Sequence, residues 1–119
     1  FKDKSFESNK ESQVISQETN KLIIEMLEET VNSDTGTARA ARLKGRLVAG
    51  KTGTAKESLE DGSSYTVSFS GFVPSNNPDY LSVVVLHGLK GEKSSGGRVA
   101  APVFSDIMQE IYMLNDLEI

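Results

Sequence analysis

The chain has no cysteine, and His87 is the one histidine among its 119 residues. The first absence excludes disulfides, a catalytic thiolate and any cysteine-based metal centre. The second excludes a histidine-rich metal site and counts against a Ser-His-Asp triad, which needs an imidazole base. No apolar run is long enough to span a bilayer, and no signal peptide is present. Internal repeats and low-complexity segments are also missing. Basic excess is lacking too: the net charge of −4 argues against a general binder of nucleic acid or anionic membrane. The chain opens on Phe1 in a polar stretch without a methionine. It is therefore expected to be an internal piece of a longer protein, whose targeting signals would lie elsewhere.

What is present amounts to one domain at most, with 37% hydrophobic residues for a modest core. Residues 1–15 are polar and read as loop or a short strand. Ser16 can cap a helix, with Glu18 favoured in its first turn by the helix dipole. Leu22, Ile23, Met26, Leu27, Thr30 and Val31 recur at helical spacing as one apolar stripe. Asn32-Ser33-Asp34-Thr35-Gly36 ends that helix, and residues 38–43 add one more turn. Residues 47–56 read as strand, and Glu60-Asp61-Gly62-Ser63 as a turn. Tyr65, Val67 and Phe69 alternate with Thr66, Ser68 and Ser70, the period of a half-buried strand. Pro74-Ser75-Asn76-Asn77-Pro78-Asp79 is a loop between strands. Residues 81–86 are almost continuously apolar, which predicts a central strand covered on both faces. Residues 87–98 read as a flexible stretch, and Pro102 opens a final helix whose buried stripe is Phe104, Ile107, Met108, Ile111 and Tyr112. Met26 and Met108 are expected in the core, and Tyr65 and Phe69 under the sheet. The fold class is α/β of the α+β type: an antiparallel sheet with N- and C-terminal helices on one face. A central strand that apolar requires a further cover, which this chain does not supply.

Residues 35–58 carry six cations, Arg39, Arg42, Lys44, Arg46, Lys51 and Lys56, against the single acid Glu57. Arg39, Arg42 and Arg46 read as solvated charge or contacts to segments outside this chain, and His87 as a satisfied strand-end residue. Within that basic run, Lys51-Thr52-Gly53-Thr54-Ala55 sets a cation, two hydroxyls and an unhindered glycine on one strand. The combination suits recognition of a carboxylate and a reacting carbonyl along a strand edge. Residues 45–52 also match the phosphate-binding pattern G-x-x-x-x-G-K-[ST]. That pattern needs an apolar strand before its first glycine and a helix starting at its lysine. Here a short cationic segment precedes it and the β-favouring Thr52-Gly53-Thr54 follows, so the context speaks against a nucleotide site.

The lysine-threonine-glycine triplet belongs also to penicillin-recognising enzymes. Around it, Asp34-Thr35-Gly36-Thr37-Ala38, then Val48-Ala49-Gly50 ahead of the triplet, then Phe69-Ser70-Gly71-Phe72-Val73-Pro74, then Gly96-Gly97-Arg98-Val99-Ala100-Ala101-Pro102-Val103-Phe104 occur in order. Over residues 13–113 the chain resembles the C-terminal part of the transpeptidase domain of class B penicillin-binding proteins, of the cell-division or sporulation branch. Residues 1–119 are then an incomplete domain with a partial penicillin-binding transpeptidase fold.

The resemblance implies a catalytic role for Lys51, which would orient proton transfer at a serine nucleophile and attract an anionic substrate. It implies that Thr52 and Thr54 offer hydroxyls to the terminal carboxylate of a D-Ala-D-Ala stem peptide or of a β-lactam. Gly53 would allow close approach, and the Thr54 backbone N–H would be an oxyanion donor, a second catalytic role. Gly96 and Gly97 would border the cleft. It implies no cofactor, metal or nucleic acid, and a parent tethered to the cytoplasmic membrane with its catalytic domain outside. The S-x-x-K nucleophile element is absent, and Ser75-Asn76-Asn77 fits the second motif, S-x-N, only in letters, because it follows the triplet. The isolated chain is therefore expected to be inactive and to associate with a chain supplying the remaining segments. A non-catalytic binding or complementing module, and a β-lactamase or D,D-carboxypeptidase of the same superfamily, stand as alternatives.

Overall fold

The computed structural model describes residues 11–91 and 94–117. Of the segment read as loop or short strand, residues 1–10 lie outside that range; residues 11–15 precede the first helix without regular structure. Helix α1 spans Gln17–Asn32, and the Ser16 hydroxyl accepts the Thr19 N–H at 3.1 Å, satisfying one of its unpaired donors. Its last carbonyls have no basic residue in the final turn to meet them. Arg42 does so from outside the helix, donating to the carbonyls of Val31, Asn32 and Ser33 at 2.8–3.0 Å. The expectation of solvated charge therefore fails for Arg42. It fails for Arg46 as well, whose guanidinium lies 3.8 Å from the centre of the Tyr112 ring.

Three strands form one antiparallel sheet in the order β1-β2-β3: β1 is Ala49–Leu59, β2 Gly62–Val73 and β3 Tyr80–Leu89. Alternation puts Thr52, Thr54, Val67, Phe69, Val84 and Leu86 on one face and Lys51, Gly53, Ser68, Ser70, Val83 and Val85 on the other. The first face carries the core. Phe69 crosses the facing pair Gly50 and Gly71, where an added Cβ would meet its ring at 3.0 Å or less, and meets Phe104 edge-on at 4.9 Å. Helix α2, Ala101–Leu117, brings Phe104, Met108 and Tyr112 to this core, and α1 brings Val31. Thr30 and Asn32 tie the end of α1 to the start of β1 through hydrogen bonds to the carbonyls of Gly50 and Val48.

The apolar run 81–86 is not central. It lies in the edge strand β3, and β2 holds the middle, because β2 pairs with both neighbours. The run is apolar on both faces, but only one is covered: Leu81, Val83 and Val85 are 72%, 58% and 57% exposed. The helical stripes are also less buried than their spacing predicts. Leu22, Ile23 and Met26 are exposed, since α1 docks only through its last turns; Ile107 of α2 is 40% exposed. Met108 is core as expected, whereas Met26 is not. The described residues of the stretch 87–98 carry more regular structure than their composition suggests. Strand β3 runs on to Leu89, and Gly96–Ala100 form a π-helical turn that leads directly into α2, with Pro102 in its first turn. The 3₁₀ turn Arg39–Ala41 matches the extra turn expected there. No described helix is long and apolar enough to cross a membrane.

Candidate active site

The lysine-threonine-glycine segment lies in β1, which is an edge strand of the sheet among the described residues. No helix starts at Lys51, and Gly45 sits in a tight turn with φ +76°, so the phosphate-loop reading has no structural counterpart. Strand alternation divides the candidate residues between two faces. Lys51 is exposed on the uncovered face, opposite Ser70, with Nζ donating to the Thr52 carbonyl at 3.0 Å. Gly53 stands on the same face, and a Cβ there would meet the Ser68 hydroxyl at 2.5 Å and nothing else closer than 3.9 Å. Thr52 and Thr54 turn to the other face, where the π-helical turn closes over the strand.

That turn fits because two of its residues have no side chain. A Cβ on Gly96 would meet the Gly53 carbonyl oxygen at 2.7 Å as well as the Ser68 carbonyl, and a Cβ on Gly97 would overlap the Thr37 carbonyl. The close approach lets the Gly96 N–H donate to Thr54 Oγ1 at 3.2 Å. The bond occupies a lone pair of the hydroxyl and directs its proton elsewhere. Thr37 Oγ1 lies 3.5 Å from Thr52 Oγ1.

A groove of about 590 Å³ opens here, with Thr37, Thr52 and Thr54 along it and Arg39 and Arg98 at its sides. Four hydroxyls, those of the three threonines and Ser95, and two guanidinium groups line it, and no carboxylate does. Such a set can bind an anion through several donors at once. Sequence reasoning identified Thr52, Thr54, Gly96 and Gly97, and the structure brings these four together. It leaves Lys51 and Gly53 across the sheet plane. Thr37, Arg39 and Arg98 were missed as groove residues; for Thr37 and Arg39 the signal was the density of hydroxyls and cations in residues 35–58, and for Arg98 its place directly after Gly96 and Gly97. Ser75 is buried, its N–H bonded to the Leu47 carbonyl at 2.9 Å and its hydroxyl to Glu28, which gives it a packing role. His87 bonds the Thr66 hydroxyl through Nδ1 at 2.6 Å.

Residues 2–109 match the penicillin binding protein transpeptidase domain family. The chain is 42% identical over 102 residues to stage V sporulation protein D of Bacillus subtilis, covering 82% of this chain and 15% of that protein. Among solved structures it is similar to the transpeptidase domain of the FtsI4 D,D-transpeptidase from Legionella pneumophila. There the identity is 36% and the TM-score 0.71, over 85% of this chain and 38% of that one. It is also similar to penicillin-binding protein 3 of Mycobacterium tuberculosis, solved with aztreonam. That match has 28% identity and a TM-score of 0.69, over 87% of this chain and 25% of that one. The chain thus spans less than a fifth of the curated relative's length. Its order of elements, its lysine-threonine-glycine edge strand and these matches agree: the chain belongs to the transpeptidase family of penicillin-binding proteins.

Proposed function

We propose that this chain forms one wall of the active site of a peptidoglycan D,D-transpeptidase whose serine nucleophile lies in a segment outside residues 1–119. The observation that carries the proposal is the placement of Lys51-Thr52-Gly53-Thr54 on the free edge of β1, with both threonines opening into a cationic groove. A peptide laid along that edge would have the Lys51 ammonium on one side and the hydroxyls on the other. The substrate is a stem peptide ending in D-Ala-D-Ala. Thr52 and Thr54 donate to its terminal carboxylate, and the Thr54 N–H supports the oxyanion. The serine attacks the penultimate D-Ala carbonyl, terminal D-Ala leaves as the amine, and an acyl-enzyme forms. An amine from a neighbouring strand then attacks the ester, releasing serine and closing the cross-link. Lys51 favours these steps by stabilising the deprotonated serine and guiding its proton.

A β-lactam offers a reactive carbonyl beside an anionic group, and the mycobacterial relative was solved in complex with one β-lactam, aztreonam. The reaction belongs outside the cytoplasmic membrane, where the substrate is, with the parent tethered there. The exposed residues Leu81, Val83 and Val85 support a second part of the proposal: this sheet is completed by the remaining transpeptidase segments, whichever chain carries them. Fluorescent penicillin followed by peptide mapping tests both parts. The complete domain should be labelled at a serine outside residues 1–119, and this chain alone should stay unlabelled. Covalent label on the isolated chain would overturn the division of the site.

A further inference from the structure

The four arginines of the chain are Arg39, Arg42, Arg46 and Arg98, and they divide into two pairs. Arg42 is committed to three carbonyls at the end of α1 and to Asp34 at 3.6 Å; Arg46 is committed to the Tyr112 ring. Arg39 and Arg98 are less committed. Both are exposed, both line the hydroxyl groove, and among the described residues neither has a carboxylate within 4.0 Å. Arg39 is nevertheless held in place, because one of its N–H groups donates to the Asp34 carbonyl at 2.5 Å and the others remain available. Arg98 is carried by the π-helical turn, whose Gly96 N–H reaches Thr54. The two cations therefore come from two separate connections, the α1–β1 segment and the β3–α2 segment, the second of which packs against β1.

We infer that Arg39 and Arg98 are specificity-determining residues: they form a cationic rim that selects a ligand bearing a free carboxylate before the hydroxyls of Thr52 and Thr54 receive it. The inference rests on the site proposed above and assigns charge selection to two residues outside its lysine-threonine-glycine strand. Two like charges beside one groove raise the local concentration of an anionic ligand, and the effect weakens as salt screens it. The groove walls carry no acid that would cancel them.

The test uses the full-length transpeptidase containing this chain, with benzylpenicillin and its methyl ester as probes and acylation rate constants as the readout. The double variant Arg39→Gln/Arg98→Gln should acylate about 10-fold more slowly with the acid, the loss expected on removing charged donors. With the ester it should change by less than about 2-fold, and its dependence on salt for the acid should flatten. Arg39→Lys/Arg98→Lys should restore most of the preference for the acid. An unchanged acid-to-ester ratio in the Gln variant overturns the inference, whether both rates hold or both fall. If the unsubstituted enzyme is acylated by neither probe, the underlying site fails, which is a distinct result.

Discussion

The sheet has two edge strands of opposite character. Strand β1 presents a cation, two hydroxyls and a glycine at its free edge, while β3 presents Leu81, Val83 and Val85 to solvent on its uncovered face. An edge built from donors can take a small polar ligand and release it, since water replaces the ligand at little cost. An apolar stripe gains only by staying covered, at roughly 25 cal/mol per Å² removed from water. Under the proposed function, β1 serves the chemistry and β3 the assembly.

The largest expected effect is at the polar edge. Lys51→Ala in the complete domain should slow penicillin acylation by about 10²–10⁴-fold, the range for a group that assists proton transfer. Circular dichroism should be unchanged, because Lys51 is exposed and bonds only its neighbour's carbonyl. A rate within about 3-fold of the parent would remove Lys51 from the mechanism.

The apolar edge should respond in the opposite manner. Val83→Asp should be nearly neutral in this chain alone, where position 83 faces water. In the assembled domain it should cost about 3–5 kcal/mol if the face is covered, the penalty of an unpaired buried charge. Denaturant unfolding of both forms decides the point, and equal small effects would mean that the face stays open.

Two glycines separate the roles of backbone space and ligand space within β1's surroundings. Gly96→Ala forces a Cβ against the carbonyls of Ser68 and Gly53, neither of which can rotate away. It should cost about 1–3 kcal/mol and disturb the bond to Thr54. Gly53→Ala meets only the Ser68 hydroxyl, the movable end of a short side chain. Stability should hold within about 0.5–1 kcal/mol, and a 10-fold or larger loss of acylation would then measure space needed by the ligand.

Much of this contrast could be read from the chain directly. The alternation of Tyr65, Val67 and Phe69 placed the core face of β2 correctly, because β2 has one buried face and the period of two records it. The lysine-threonine-glycine segment was legible because its residue types are improbable together and sit among flanking matches. The position of β3 was not legible. Apolarity on both faces does not report which neighbours a strand has among the described residues. The stripe of α1 misled for the same reason: Leu22, Ile23 and Met26 have helical spacing but no described partner. Arg42 reads from sequence as solvated charge or an outside contact because its job, meeting the last carbonyls of α1, depends on a turn that returns the chain 10 residues later to the helix end.

The smallest effect concerns what holds β3 to the rest of the molecule. The single Tyr112 O–H is shared between the Val73 carbonyl and Asp79 Oδ2, both at 3.3 Å, while its ring meets Tyr80, the first residue of β3, at 5.5 Å. Burial raises the pKa of this phenol first, and the Asp79 charge and hydrogen bond raise it further; Tyr80 adds to the rise and only Arg46 works against it. The sign of the linkage follows. The folded state holds this proton more tightly than the unfolded chain does, so the contribution is fully present below the ordinary tyrosine range near 10. It is lost as pH rises through the higher folded value, where the unfolded chain has already released its proton. Tyr112→Phe should therefore cost about 1 kcal/mol at neutral pH, the net worth of a hydrogen bond. It should also remove part of the alkaline loss of stability, so that the two unfolding curves converge as pH climbs above 10. Parallel curves across that range would show that the hydroxyl does not fasten the start of β3. The apolar edge would then be held by its strand pairing and ring contacts alone.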